Sequence, residues 1–216
     1  MRIGYYLSKT FLQGLFVLFL RGRVFGMKNL PKTGGGLLVA NHQSFLDPIF
    51  AGLGVPREAF YMARDTLFRS PVFGPMIRYY NAFPVRRGRA DIGAIKKSLR
   101  ILKRGGFLNV FPEGTRTTDG TIAVMQPGVV LLARKARVPL IPTMLLGGFE
   151  IWPRHKRFPR PSPVIVAYAV PLSVSEIEAL SDDECIRIVR DRIVELMKHY
   201  SSHSLFRGRA RALRIG

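Results

Sequence analysis

The sequence predicts a mixed α/β fold, a central sheet flanked by helices, preceded by an apolar N-terminal helix or helix pair. Three observations carry that prediction. Short apolar runs alternate with segments whose apolar residues recur at helical spacing. The 216 residues are 47% hydrophobic and 22% charged, which suits one packed core and argues against a disordered chain. The N-terminus breaks the alternation, because FLQGLFVLFL (residues 11–20) is apolar almost throughout. The chain divides into an N-terminal helical segment (1–23), an α/β domain (24–200) and a basic tail (201–216).

The elements follow in order. Residues 3–20 form the first helix. A full membrane span needs about 20 apolar residues. This run reaches 18 only by including Lys9 and Gln13, and it ends in Arg21-Gly22-Arg23 rather than a small-residue cleavage site. Tyr5, Tyr6, Phe11, Leu12, Leu15, Phe16 and Phe19 are the side chains expected at a membrane interface, with Lys9, Arg21, Arg23, Lys28 and Lys32 as flanking cations. The segment reads as a helix lying in one leaflet; the plainer reading is a core helix.

GLLVA (36–40) and AFYMA (59–63) are short strands. Ser70-Pro71 sets a cap before a helix-initiating proline, so a helix runs to about Tyr80. AFPV (82–85) is a strand, and Pro84 puts it at an edge. Ile92, Ile95, Leu99 and Leu102 share a helix face within 91–104. FLNVF (107–111) is a strand, 127–136 a helix, and 139–146 and 163–170 are strands. Residues 149–162 read as a surface excursion. Ser181-Asp182-Asp183-Glu184 is a capping box that opens the last helix. Cys185 is the one cysteine, which excludes a disulfide scaffold, and its position beside the apolar face makes it a core thiol.

The formal net charge is +20, with 34 Lys plus Arg against 14 Asp plus Glu. Almost all of the excess lies in residues 1–172, and arginine outnumbers lysine, which favours bidentate anion contacts. A polyanionic partner follows: nucleic acid, an anionic membrane surface or a phosphorylated substrate.

Three polar clusters follow predicted strands, where ligands bind in open α/β sheets. The first is Asn41-His42-Gln43-Ser44-Phe45-Leu46-Asp47. A tight turn brings Asp47 to one nitrogen of His42, which fixes the tautomer and makes the other nitrogen a base. The same residues also fit a plainer reading, in which His42 caps a helix that Asp47 starts. The second is Phe111-Pro112-Glu113-Gly114-Thr115-Arg116, with a phosphate donor in Arg116 and a glycine for close approach. The third is Phe83-Pro84-Val85-Arg86-Arg87-Gly88-Arg89, an anion site if its arginines converge. The other histidines are not arranged with carboxylates, so no metal is expected.

NHQSFLD, NAFPVRRG, VFPEGTRT and VPLIPTML, in that order, resemble the glycerolipid acyltransferases, and most closely the bacterial 1-acyl-sn-glycerol-3-phosphate (lysophosphatidate) acyltransferases. The resemblance covers residues 24–172. It implies that His42, held by Asp47, takes the proton of a lysophospholipid hydroxyl that attacks the thioester of acyl-CoA or acyl-carrier protein. It also implies that Arg87 and Arg116 grip the phosphate, with Arg86 in Arg87's place if the register shifts by one, and that Glu113, Gly114 and Thr115 set the glycerol. No cofactor beyond that co-substrate is needed. The expected location is the cytoplasmic face of the cell membrane, peripheral or monotopic.

The second block departs from the family's pattern. Asn81 stands where glycine is common, and Arg86 where aspartate is. The departure leaves open another lysophospholipid, or a lysolipid with an amino-acid headgroup, as acceptor. A non-enzymatic basic module for membranes or nucleic acid rests on charge alone. No DNA- or RNA-binding motif is present, so no nucleic acid partner is expected.

Overall fold

The computed structural model describes residues 3–86 and 91–206. Arg87 and the tail arginines from Arg207 onward therefore lie outside the described residues. Seven strands form one sheet among those described: β1 (Arg23–Phe25), β2 (Gly36–Ala40), β3 (Ala59–Arg64), β4 (Ala82–Val85), β5 (Phe107–Val110), β6 (Leu140–Leu146) and β7 (Ile165–Tyr168). Their order across the sheet is β1-β7-β6-β2-β5-β3-β4. β6 and β7 pair antiparallel and the other neighbours are parallel. Hence β2, β3, β4, β5 and β6 end at the same sheet edge. The helices are α1 (Ile3–Leu20), α2 (Asp47–Leu53), α3 (Phe73–Tyr79), α4 (Ile92–Lys103), α5 (Gly128–Ala136), α6 (Gly148–Ile151), α7 (Val174–Ala179) and α8 (Asp182–Ser201).

Side chains alternate across each strand, and this splits the core in two. Leu37, Val39, Leu108, Leu140 and Met144 pack with α4, α5, α7 and α8. Leu38, Ala40, Phe107, Ile141 and Leu145 pack with α2 and Phe16 of α1. Cys185 is buried in the first core, as a core thiol should be.

The expected elements are present, with shifts that have local causes. Pro84 does sit on the edge strand β4. The expected strand 163–170 shortens to β7, and at its start the Val164 N–H leaves the sheet and donates to Leu20 at 3.2 Å. Ser70 accepts from the Phe73 amide at 3.2 Å, but α3 starts only at Phe73. Asn81 has φ 64°, the left-handed conformation that glycine and asparagine adopt most easily. That explains asparagine at a position where glycine is common.

The N-terminal segment is one helix, and it is not a core helix, since only Tyr5 and Phe16 are buried. Those two correct the membrane-interface list. The Tyr5 hydroxyl accepts from the Ala59 amide at 3.3 Å, and Phe16 packs on Phe50 at 5.5 Å. Lys9 is also turned inward: it donates to the Val55 carbonyl, and burial pulls its pKa down to about 8. It is therefore no lipid-facing cation. Gln13 donates to Leu53 at 2.7 Å. Residues 5, 9, 13 and 16 form one stripe of the helix, and this stripe docks it. Tyr6, Leu12 and Leu15 are half-buried, while Phe11 and Phe19 face outward. By length and composition α1 could cross a membrane.

Candidate active site

The sheet edge where β2 and β5 end side by side holds the first two polar clusters. Asn41 is buried and pins the chain to β6, donating to the Leu145 carbonyl at 2.9 Å and accepting from its amide at 2.8 Å. The chain then turns, and His42 Nδ1 lies 2.9 Å from Asp47 Oδ2. A carboxylate only accepts, so Nδ1 carries the proton and Nε2 is left with its lone pair for a substrate. The imidazole stacks on Phe111, the residue after β5, at 4.1 Å between centroids. Its side chain is 13% exposed and that of Asp47 is fully buried. Asp47 Oδ2 also accepts the amides of Gln43 and Ser44. The aspartate thus does both things the sequence suggested: it begins α2 and it faces His42.

Packing leaves no slack behind this pair. A Cβ on Gly148 would sit 2.7 Å from Asp47 Oδ1 and 3.2 Å from the Ser44 Cβ. Gly147 before it has φ 101°, another conformation that excludes most side chains. Ser44 Oγ is buried, donates to the Trp152 carbonyl at 3.2 Å and accepts from Leu46. It holds the loop and is not presented as a nucleophile.

Glu113 bridges the two clusters. One oxygen accepts the His42 amide at 2.8 Å, the other the Ala123 amide at 3.1 Å. Burial pushes its pKa up to about 7, against the two amides, which favour the carboxylate. The His42 carbonyl accepts from Thr117 at 2.9 Å, and Gln43 donates to Gly120 at 3.0 Å. Residues 113–123 are thereby tied to the histidine loop on both sides. Gly114 is exposed with φ 70°. Thr115 is exposed beside it, with Arg154 Nη1 at 3.5 Å. Arg116 lies 3.3 Å over the Phe45 ring, and Trp152 packs on the same ring at 5.0 Å.

The structure therefore brings together His42, Asp47, Glu113, Gly114, Thr115 and Arg116. Arg86 follows β4 on the same edge, two strands beyond β5, which is about 10 Å away at ordinary strand spacing. Its side chain is exposed, and its amide donates to Asp91 at 3.0 Å. Sequence reasoning missed Gly148, Trp152 and Arg154, all after β6. An exposed groove of about 490 Å³ begins beside the site at Leu46 and Ile49. Leu12, Leu15, Phe16 and Phe19 of α1 line it on one side, and Pro159, Arg160 and Pro161 on another.

A histidine oriented by a buried carboxylate through one ring nitrogen can use the other to deprotonate a hydroxyl. Comparison with known proteins gives the family. A family model described as "Acyltransferase" matches residues 21–146, more than half of the chain. The 1-acyl-sn-glycerol-3-phosphate acyltransferase of Bacillus subtilis is 32% identical over 65% of this chain and 72% of its own length. The chloroplastic enzyme BAT2 of that name from Brassica napus is 31% identical over 62% of this chain, which spans 40% of that protein. The crystal structure of the 1-acyl-sn-glycerophosphate acyltransferase PlsC from Thermotoga maritima superposes with a TM-score of 0.78 at 26% identity, covering 92% of this chain and 80% of that one. On family model, sequence and overall fold together, the chain belongs to the acyltransferase family and is an O-acyltransferase.

Proposed function

We propose that the protein transfers a fatty acyl chain from acyl-CoA or acyl-carrier protein to the free hydroxyl of 1-acyl-glycerol-3-phosphate, giving phosphatidic acid for phospholipid biosynthesis. The observation that carries the proposal is the 2.9 Å contact between His42 Nδ1 and the buried Asp47. His42 Nε2 takes the hydroxyl proton as the oxygen attacks the thioester carbonyl. The tetrahedral oxyanion collapses, the carbon–sulfur bond breaks, and the thiolate leaves and receives the proton from the imidazolium. No acyl-enzyme is required, in keeping with the structural duty of Ser44. Asp47 stabilises the imidazolium and holds its tautomer.

The phosphate is assigned to Arg116 together with Arg87 or Arg86. Arg116 is well held for that duty, because Phe45 fixes the plane of its guanidinium. Gly114 and Thr115 are exposed at the turn, where the glycerol would sit. Glu113 spends both oxygens on main-chain donors, so its part is to position His42 rather than to bind glycerol directly. The apolar groove takes acyl chain, and the outward face of α1 rests in the cytoplasmic leaflet of the cell membrane.

Crossing acyl-CoA and acyl-carrier protein donors with several lysolipid acceptors, and following phosphatidic acid by mass, tests the proposal. Lysophosphatidate is expected to outrun phosphate-free acceptors with at least one donor. Preference for an acceptor without phosphate contradicts the arginine assignment.

A further inference from the structure

The surface excursion between α6 and β7 takes no part in the proton transfer above, and its composition is distinctive. Arg154, Lys156, Arg157 and Arg160 fall within seven residues, and the chain has no acidic residue between Glu150 and Glu176. Every residue from 154 to 161 is exposed. Among them is Phe158, 69% exposed, with the Arg157 guanidinium 5.3 Å over its ring. A solvated loop rarely holds an aromatic out in this way.

The loop is nevertheless fixed. Trp152 Nε1 donates to the Lys156 carbonyl at 3.0 Å, and the Arg160 amide donates to Ile151 at 2.8 Å. Pro159, Arg160 and Pro161 line the same groove as Leu12, Leu15, Phe16 and Phe19 of α1. The loop and the C-terminal half of α1 therefore flank one groove and share one side of the molecule. Beyond the groove, α1 exposes Val17, Leu18 and Phe19.

We infer that residues 153–161 are a second membrane-docking element, which presents Phe158 to the headgroup boundary and its four cations to anionic lipid phosphates. An exposed aromatic among cations is the composition of an interfacial anchor. Charge complementarity and the apolar neighbour favour a bilayer over an acidic protein partner. With α1 on the other flank, the two-point contact turns the groove toward the lipid, so that chains enter it without crossing water. The inference rests on the proposed attachment through α1.

Flotation with vesicles of phosphatidylglycerol and phosphatidylcholine tests it on the full chain, with no catalysis required. Lys156→Ser with Arg157→Ser is expected to weaken binding more than tenfold, at about fivefold per surface cation. This double variant should retain transfer to a short-chain acceptor below its micellar concentration. Phe158→Trp should show emission quenched by bromine-labelled acyl chains, beyond any quenching of Trp152 in the parent protein. Wild-type binding by the double variant, with an unquenched Trp at 158, overturns the inference. Unchanged vesicle binding with a raised KM for acyl-carrier protein also overturns it, and gives the surface to the donor. Leu18→Asp with Phe19→Asp is the reference. If that variant loses binding and the loop variants do not, only the loop inference fails. If it also binds as wild type, the attachment through α1 fails as well.

Discussion

Two long helices cover opposite faces of the sheet, and they are built on different rules. α8 buries Cys185, Ile186, Val189, Ile193, Val194 and Met197 and turns Asp183, Glu184, Arg187, Asp191, Glu195 and Lys198 to solvent. α1 docks through Tyr5, Lys9, Gln13 and Phe16 and turns Ile3, Leu7, Phe11, Leu18 and Phe19 outward. No charged residue lies on its exposed side, and its one cation points in. An ordinary surface helix puts its polar residues outside and its apolar residues inside. α1 departs from this, placing Lys9 and Gln13 against the domain and leaving mostly apolar side chains outside. α8 presents a polar outer face, whereas α1 presents an apolar one. The site loop and the groove lie on the α1 side of the sheet, so the candidate site opens on the same side as the apolar outer face of α1.

The largest expected effect separates the site from both helices. Asp47→Asn should lower kcat by about 10³-fold, within the range for a misoriented general base. Vesicle binding should be unchanged, since neither α1 nor the 153–161 loop is touched. Steady-state kinetics beside flotation checks both halves, and a large loss of binding would mean that the two functions are not separable.

Next comes that departure itself. Leu18→Asp with Phe19→Asp should weaken vesicle binding by at least about 100-fold, because two side chains worth about 1.5–3 kcal/mol each leave the apolar phase. On α8, Arg187→Ala should leave binding as it is and shift stability by less than about 0.5 kcal/mol. Equal effects from the two helices, measured by flotation and urea unfolding, would erase the distinction between them.

The smallest expected effect lies in the brace behind His42. The native pKa of Glu113 is raised to about 7 from 4.5, so the folded state holds its proton through that window while the unfolded chain has lost it. Stability contributed at low pH is therefore lost as pH rises from 4.5 to 7. Glu113→Gln is neutral throughout and lacks that loss. Relative to wild type it should gain about 2 kcal/mol between pH 5 and pH 8, the shift being discounted for partial exposure. Urea unfolding at the two pH values measures this, and a pH-independent difference would remove the titration of Glu113 from the account.

The strands and the histidine–aspartate pair were legible because they rest on local signals: apolar runs, turn residues and a five-residue spacing. β1 was not, since three residues, Arg23–Phe25, show no alternation and owe their pairing to Ile165–Ala167 across the chain. The docking stripe of α1 was hidden for a related reason. With apolar residues on both faces, spacing could not reveal that Tyr5 and Phe16 face the domain while Phe11 and Phe19 do not. Glu113 looked like a ligand because it sits in a motif, and its duty shows only when His42, 71 positions away in the chain, comes within hydrogen-bonding distance. Gly148 carries no sequence signal beyond being glycine. Its need arises from the buried Asp47 oxygen it packs against.

The most direct measurement of the central claim is thiol release from acyl-CoA, with phosphatidic acid quantified in parallel, by wild type and His42→Ala on lysophosphatidate-bearing anionic vesicles; an acyl-carrier protein arm covers the case in which that is the donor. If His42 Nε2 takes the acceptor's proton, thiol and phosphatidic acid appear in equal amounts with wild type, and His42→Ala makes neither while floating with the vesicles as before. Full transfer by His42→Ala would contradict the account.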